Sequence, residues 1–178
     1  IVKTIVYTNM TDKVAEEYNV KLIEVLTGFK YIGGEILALE EKNQQDKFVF
    51  GFEESCGYLK GTYARDKDAV VASMLVCEMA AALKLQGKSI LDALADVYKT
   101  YGYYLAHVQS VELTGADAME KAAKMMADLR STVPEFIGGA KVTAVRDYRE
   151  STAKDLATGE QTEILLPKSN VLEFLLGE

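Results

Sequence analysis

The short acidic run Phe52-Glu53-Glu54-Ser55-Cys56-Gly57 contains the residues of this sequence best suited to chemistry with a ligand. It follows an apolar stretch and precedes a long helical pattern, so it lies where a strand passes into a loop. Carboxylates accept the hydroxyl protons of a polyol in charge-assisted hydrogen bonds, and Ser55 can donate or accept one. Gly57, and Gly51 just before the run, let the backbone approach a ligand closely. The sequence therefore predicts a polyol-binding loop.

Residue types alone leave a second interpretation open. Glu53 and Glu54 could form a solvated acidic turn, the more common arrangement for adjacent carboxylates. His107 is the only histidine and lies far from the acidic run in sequence, and Cys56 has no histidine near it. An activated thiolate usually needs such a partner. We therefore expect Cys56 to act as a spacer and His107 to have no catalytic role.

The first hundred residues alternate between strand and helix patterns. The predicted strands are residues 1–8, 20–25 and 47–52, and the predicted helices are residues 11–18, with Thr11 as the cap, and 30–39. This alternation favours an α/β fold with a mostly parallel or mixed sheet and flanking helices, in which ligands bind beyond the carboxyl ends of the strands. The loops at Thr27 and Glu53 should then share one edge of the sheet.

Two helices are predicted next. Residues 66–85 have almost no polar face, which is typical of a helix buried on most sides. Gly87 is placed to end that helix, and Ser89 with Asp92 has the pattern of a capping box for the helix that follows.

The pattern changes after Gly102. Residues 108–113 resemble a strand or an extended linker, and residues 117–130 an amphipathic helix whose inward positions are Met119, Ala122, Met126 and Leu129. Residues 141–148 are predicted as a strand, residues 149–161 as a polar connection, and residues 172–176 as a last short strand or helix. We therefore predict two domains, residues 1–106 and residues 107–178, the second an incomplete α+β domain.

Composition narrows the classes of partner. The net charge of -7 argues against binding of nucleic acid or of an anionic membrane surface, because both require clustered Lys and Arg. The two cysteines, Cys56 and Cys77, fit neither a disulfide framework nor a metal motif. A reducing, cytoplasmic location is the simplest interpretation.

Three segments resemble the third domain of the alpha-D-phosphohexomutases, and within that family its phosphoglucomutase branch. The acidic run is similar to the sugar-binding loop Gly-Glu-Glu-Ser-Xaa-Gly of that branch, with Phe52 in place of the first glycine. The segment Thr27-Gly28-Phe29-Lys30 is similar to a Thr-Gly-aromatic-Lys stretch, and Arg65-Asp66-Lys67-Asp68 to an Arg-Glu-Lys-Asp stretch. The three matches occur in the family's order.

The resemblance implies roles for individual residues. Glu53 and Ser55 would bind hydroxyls of a hexose ring, and Lys67 would contact the sugar phosphate or a hydroxyl. The implied substrate-binding set is Thr27, Gly28, Glu53, Ser55, Gly57 and Lys67, with Lys30, Glu54 and Arg65 as further candidates. No catalytic residue is implied within this sequence.

The resemblance also implies chemistry that this sequence does not contain. The family uses a phosphorylated serine, a magnesium loop of the type Asp-Xaa-Asp-Xaa-Asp-Arg and a phosphate loop Arg-Pro-Ser-Gly-Thr, and none of these strings occurs here. We therefore expect a piece of a longer enzyme that is inactive alone and packs against the other domains of its parent. The parent would hold Mg²⁺ outside this piece and would form glucose 1,6-bisphosphate as the reaction intermediate.

The expected ligand is a small hexose phosphate. The shorter loop Glu-Xaa-Ser-Gly is typical of the phosphomannomutase branch, so the extra residue at Cys56 favours glucose as the sugar. The implied reaction is the interconversion of glucose 1-phosphate and glucose 6-phosphate. Two alternatives stay open at this point. One is a phosphomannomutase or phosphopentomutase, and the other is a noncatalytic sugar-phosphate-binding or interaction module.

Overall fold

A four-stranded mixed sheet forms the centre of the first of two units in the computed structural model, which describes residues 1–177. Its strands are short: β1 (Val2–Thr4), β2 (Ile23–Val25), β3 (Gly51–Glu53) and β4 (Gly57–Leu59). The order across the sheet is β2-β1-β3-β4. β1 pairs in parallel with both β2 and β3, and β4 returns antiparallel to β3 as a hairpin. The predicted α/β fold with a mixed sheet is confirmed.

Four helices accompany this sheet: α1 (Met10–Glu17), α2 (Phe29–Glu40), α3 (Ala69–Leu85) and α4 (Ile90–Tyr101). The predicted Thr11 cap of α1 is wrong, because Asn9 is the residue before the first turn and the Thr11 hydroxyl donates to the Thr8 carbonyl oxygen instead. The predicted capping box of α4 is confirmed, since Ser89 and Asp92 exchange both hydrogen bonds. Gly87 follows α3 with a φ of 70°, a conformation that favours glycine.

The core of the unit lies between α2 and one face of the sheet. Its buried members come from β1, β2, β4, α2 and the segment before β3: Val2, Val25, Phe29, Ile32, Ile36, Phe48 and Leu59. Gly51 sits within this face, where a Cβ atom would lie only 2.6 Å from Ile32 Cγ2. The close approach of α2 to the sheet therefore depends on the absence of a side chain at Gly51.

Lys3 lies in the inner strand β1, and its side chain is fully buried, with 0% of its surface exposed. Its Nζ atom donates to Asp12 Oδ2 at 2.9 Å and lies 3.2 Å from Glu24 Oε1. It also donates to Asn9 Oδ1 at 3.1 Å. A buried ammonium group is tolerated only when it is paired and hydrogen-bonded. Lys3 thus links β1 to α1 and to β2.

The burial predicted for residues 66–85 is wrong for this chain. No residue of α3 is buried, and Val70 and Met74 are 78% and 58% exposed. The helix contacts β4 and α4 along a narrow side, and most of its apolar surface faces outward. A helix that is apolar on all sides is predicted to pack against other segments, but the pattern does not identify those segments.

The second unit, Val108–Glu178, has one helix and an antiparallel sheet. After an irregular segment come α5 (Ala118–Ser131) and the strands β5 (Phe136–Ile137), β6 (Ala140–Asp147), β7 (Thr152–Asp155), β8 (Gln161–Glu163) and β9 (Leu172–Leu176). The order is β5-β6-β7-β8, with β9 also paired to β6. Arg130 at the end of α5 donates to Asp147 Oδ2 at 3.0 Å and ties the helix to β6. This architecture is the predicted α+β type.

Several expectations for the second unit were wrong in detail. Residues 149–161 are not a polar connection alone, because β7 and the start of β8 lie within them. The inward positions assigned to α5 fail at Met119, which is 88% exposed, and at Ala122 and Leu129, which are also exposed. Residues 172–176 adopt the strand alternative. Polar strands such as β8 carry no apolar alternation, so pattern reading does not detect them.

We compared the helices of residues 1–177 with the length and apolar composition that a membrane span requires. None of them alone has the length and apolar composition of a span. Helices α3 and α4 reach that composition only together, and they meet at an angle of 89°.

Candidate functional site

The acidic run forms the tip of the β3–β4 hairpin. Glu53 and Gly57 are its last paired residues, so Glu54, Ser55 and Cys56 form a three-residue loop. Cys56 has a φ of 52°, the left-handed conformation that commonly closes a loop of this length. The loop extends from the carboxyl end of β3, beside the carboxyl end of β1. The sequence-predicted site therefore lies at the sheet edge where ligands gather in α/β folds.

Glu53 is the most buried carboxylate of this edge, with only 3% of its surface exposed. Its Oε1 atom accepts hydrogen bonds from Ser55 Oγ at 2.9 Å and from Lys67 Nζ at 2.5 Å. Its Oε2 atom is buried and has no hydrogen-bond partner. Buried polar atoms are nearly always satisfied, so this unpaired oxygen is the unusual feature of the sheet edge.

The surroundings of Glu53 keep it ionised. Burial works to raise its pKa, but the hydrogen bonds from Lys67 and Ser55 outweigh burial and lower the pKa below the ordinary value for Glu. The backbone of Gly28, at the start of α2, adds to the lowering. This backbone group faces the carboxylate without making a well-formed hydrogen bond to Oε2. The positive end of α2 thus supports the negative charge of Glu53.

Gly28 and Glu53 are brought together by the order of the strands. β2 and β3 both lie next to β1, so the turn after β2 and the hairpin after β3 emerge at the same edge. Gly28 has a φ of 120°, which only glycine adopts readily, and it starts α2 directly beyond Thr27. Thr27 is exposed at this turn. The structure therefore places the two predicted loops together, as the strand pattern predicted.

Gly57 allows Glu53 and Lys67 to meet. A Cβ atom at Gly57 would lie 2.7 Å from Glu53 Cγ and 3.3 Å from Lys67 Cδ. Lys67 reaches the site because the Asp68 backbone N–H donates to the Tyr58 carbonyl oxygen at 2.8 Å, which fixes its segment beside β4. The lysine side chain keeps 41% of its surface exposed. One ammonium group thus borders both Glu53 and solvent.

The three further candidates have different surroundings. Glu54 Oε2 accepts a hydrogen bond from Thr4 Oγ1 at 2.7 Å. Lys30 is exposed on the first turn of α2, with its Nζ atom 4.9 Å from the centre of the Tyr31 ring. Arg65 is paired with Glu40 and donates to the Thr62 carbonyl oxygen at 2.6 Å. The guanidinium of Arg65 therefore stabilises its own loop and is not directed at Glu53.

Two residues near the site were not predicted from the sequence to belong to it. Thr4 is fully buried at the end of β1 and reaches the acidic loop. Tyr7 packs edge-to-face on Phe52 with ring centroids 4.7 Å apart, and burial next to the Tyr58 hydroxyl raises its pKa to about 12. Thr4 lies in the middle of the strand predicted at residues 1–8, so only the structure shows that it ends β1 beside the acidic loop. The packing of Tyr7 also explains why a phenylalanine fits at position 52.

A metal site is not formed within residues 1–177, where no group of three or more His, Cys, Asp or Glu side chains is arranged to hold an ion. Both cysteines are free and exposed. The described site offers an ionised acceptor, a hydroxyl and an ammonium group at one sheet edge, a set suited to hydrogen bonding with a polar ligand.

Comparison with known proteins identifies the family. A family model described as phosphoglucomutase/phosphomannomutase, alpha/beta/alpha domain III, matches residues 1–101. The phosphoglucomutases of Staphylococcus aureus strains bovine RF122 / ET3-1 and MSSA476 are each 38% identical over 178 residues, which is 100% of this chain and 32% of theirs. This chain thus spans about a third of the length of these curated relatives.

A solved structure supports the fold. The open form of pp63/parafusin, a phosphoglucomutase from Paramecium, superimposes with a TM-score of 0.56 over 98% of this chain and 28% of its own, at 16% sequence identity. At that identity the likeness concerns the fold alone. Together with the match of residues 1–101, these findings show that the chain belongs to the phosphoglucomutase/phosphomannomutase family of mutases.

Proposed function

We propose that this chain is the sugar-recognition part of a phosphoglucomutase that interconverts glucose 1-phosphate and glucose 6-phosphate. The observation that carries the proposal is the unpaired Oε2 atom of Glu53, buried beside the Gly28 turn and held by Lys67 and Ser55 through the other oxygen. A sugar hydroxyl is a donor of the right kind for that oxygen. Charge-assisted hydrogen bonds of this type are among the stronger ones in proteins.

The reaction of the family gives this arrangement a physical purpose. Phosphate moves between the 1 and 6 oxygens of the sugar through a bisphosphate, which must be bound in two opposite orientations. The ring hydroxyls are present in both orientations, so a set of acceptors between the two phosphate positions serves each of them. Glu53 and Ser55 would bind these hydroxyls, and Thr27 and Gly28 would line the opposite side of the pocket.

Lys67 would meet the negative part of the substrate. The chain carries a net charge of -7, so a sugar phosphate needs local cations to bind. The ammonium group of Lys67 is already oriented by Glu53, and the lysine side chain keeps 41% of its surface exposed. Lys30, exposed on the first turn of α2, would add a second positive charge at this edge.

The chemical step would belong to the rest of the parent chain. Phosphoryl transfer depends on positioning and on electrostatic stabilisation of the transferring group. The phosphorylated serine and magnesium loops of the family have no counterpart in this sequence. We therefore expect the 178-residue chain to show no turnover by itself, and its sheet edge to complete a site shared with the other domains of its parent.

A titration tests the proposal. Glucose 1-phosphate added to the isotopically labelled chain should shift the amide signals of Gly28, Ser55 and Lys67. Glu53→Gln should weaken this binding by roughly 1.5 to 3 kcal/mol, the range for hydrogen bonds to charged groups. Glu16→Gln, an exposed glutamate on α1, is the matched control and should bind as the wild type does. Shifts confined to other surfaces, or equal affinity in both variants, would contradict the proposal.

The substrate is tested by the same measurement. The family model covers both phosphoglucomutases and phosphomannomutases, so mannose 1-phosphate is the nearest alternative ligand, followed by a pentose phosphate. Tighter binding of glucose 1-phosphate than of either would support the assignment. If all three bound equally weakly and the parent-length protein showed no mutase activity, a noncatalytic sugar-phosphate-binding module would be the better description.

A further inference from the structure

The acidic loop is anchored to the central strand by a single side-chain contact. Thr4 Oγ1 donates to Glu54 Oε2 at 2.7 Å across a separation of 50 residues in sequence. Thr4 is fully buried in β1, so its hydroxyl has a fixed position. Glu54 is only half-buried and lies in the loop itself. The contact therefore joins a half-buried residue at the tip of the hairpin to a fully buried residue of the sheet.

The two adjacent glutamates thus have separate partners. Glu53 binds Ser55 and Lys67 through Oε1 and leaves Oε2 unpaired. Glu54 uses one oxygen for Thr4. Hydrogen bonds between a hydroxyl and a carboxylate are short and strong. A hydrogen bond of this kind to a distant strand restricts the conformations open to a three-residue loop. Restricting a binding loop in its bound shape improves affinity by lowering the entropy lost on binding.

We propose that Thr4 and Glu54 are positioning residues, which hold the loop at the carboxyl end of β1 so that Glu53 and Ser55 keep their spacing for sugar hydroxyls. This inference rests on the proposed function. It assigns Glu54 to the support of the loop and Glu53 to the ligand. Thr4 does not contact the sugar and acts only through Glu54.

Two substitutions of Thr4 separate the hydroxyl from the shape of the side chain. Thr4→Val removes the donor at nearly constant volume, and Thr4→Ser restores it. Thr143→Val is the matched control, because Thr143 is also a strand threonine whose hydroxyl bonds at 3.2 Å, to the Leu175 carbonyl oxygen in the other unit. Each variant is measured for amide hydrogen exchange at Ser55 and Cys56 and for affinity toward glucose 1-phosphate.

The expected pattern is specific to positioning. Thr4→Val should speed exchange at Ser55 and Cys56 and weaken binding by about fivefold to thirtyfold, while Thr4→Ser and Thr143→Val stay within twofold of wild type. Glu54→Ala should weaken binding to the same extent as Thr4→Val. The double variant should be no weaker than either single variant, because both remove the same contact.

The outcomes distinguish the inference from the proposed function. If Glu53→Gln weakens binding but Thr4→Val leaves both affinity and exchange unchanged, the positioning role is overturned and the proposed function stands. If neither the 178-residue chain nor a protein of the relatives' full length binds a sugar phosphate, the proposed function fails. The exchange rates at Ser55 and Cys56 then still decide whether Thr4 holds the loop. Should Thr4→Val fold poorly, Glu54→Ala gives the same two readouts from the loop side.

Discussion

At the scale of single residues, the site depends on how one carboxylate divides its two oxygens. Oε1 of Glu53 is used internally by Ser55 and Lys67, and Oε2 is buried without a partner. A buried carboxylate without Lys67 would tend to take up a proton, because burial disfavours charge. The ion pair therefore has a functional consequence: it keeps Glu53 an acceptor at neutral pH, which is what recognition of a hydroxyl requires.

The titration of Glu53 provides the first prediction. Its carboxyl carbon signal should titrate below the ordinary pKa of a Glu side chain, because Lys67 and Ser55 outweigh burial and lower the Glu53 pKa. Lys67→Met should raise this pKa, since burial then acts with less opposition. The stability that the pair contributes should be present above the unfolded carboxyl pKa of about 4.3 and be lost as pH falls through the lower folded value. Titration of Glu53 at or above the ordinary value for Glu would contradict the assignment.

Gly57 provides the second prediction at this scale. Gly57→Ala should weaken glucose 1-phosphate binding by about tenfold or more, because the new methyl group would lie 2.7 Å from Glu53 Cγ and displace the side chain. Cys56→Gly is the control in the same loop, since it removes a side chain at a φ of 52° without touching Glu53. Calorimetric titration should find the control within about twofold of wild type. Unchanged affinity in Gly57→Ala would show that the Glu53 position is not critical.

At the scale of elements, the position of α2 decides whether the two loops meet. The helix begins at Phe29 directly after the Gly28 turn and packs along the sheet through Ile32 and Ile36. Gly33 faces the segment that leads to Lys67, where a Cβ atom would lie 2.9 Å from the Arg65 carbonyl oxygen. The next residue, Gly34, has open space around the corresponding position. A side chain would therefore clash at Gly33 and be accommodated at Gly34.

This contrast yields a matched pair of substitutions. Gly34→Ala should raise the free energy of unfolding by about 0.5 to 1 kcal/mol, because alanine is the better helix former and nothing opposes it. Gly33→Ala should lower it by about 1 to 3 kcal/mol, because the helix or the Arg65 segment must shift. Urea denaturation monitored by circular dichroism measures both. Equal effects of the two substitutions would show that α2 does not pack against the Arg65 segment as described.

The elements also show what the sequence could predict. Strand and helix alternation correctly indicated the mixed α/β sheet, and the capping box at Ser89 marked the start of α4 because that signal is local. The contact between Thr4 and Glu54 was not predictable, since it joins residues 50 positions apart through one hydroxyl. The strand predicted at residues 47–52 overlaps β3 only at Gly51 and Phe52, because Lys47 ends a short helical turn and residues 48–50 form no regular element. Local patterns give the type of an element, and tertiary contacts set its ends.

At the scale of the whole molecule, the apolar side of α3 lacks a partner among residues 1–177. A cavity of about 650 Å³ lies between this helix and the sheet, lined by Phe50, Tyr58, Val76 and Met79 among others. Val76 and Met79 are 51% and 45% exposed. Exposed apolar surface of this extent usually marks an interaction site. The curated relatives are about three times as long as this chain, and we expect the additional length to cover this surface.

Polar substitutions at the cavity test this expectation. In the 178-residue chain, Val76→Gln and Met79→Gln should change the free energy of unfolding by no more than about 0.5 kcal/mol, because both side chains are half exposed, and should reduce the binding of an apolar fluorescent dye. In a protein of the relatives' full length, the same substitutions should cost about 2 to 4 kcal/mol, since they would place polar groups in a packed interior.

A control from the second unit completes this comparison. Met119 on α5 is 88% exposed, so Met119→Gln should be neutral in the 178-residue chain and should leave dye binding unchanged. If Val76→Gln and Met79→Gln were as mild in the longer protein as in this chain, the surface of α3 would remain exposed there. Its apolar composition would then have to serve a partner outside the parent chain. A large cost confined to the longer protein would instead show that the all-round apolar pattern of α3 encodes packing within one polypeptide.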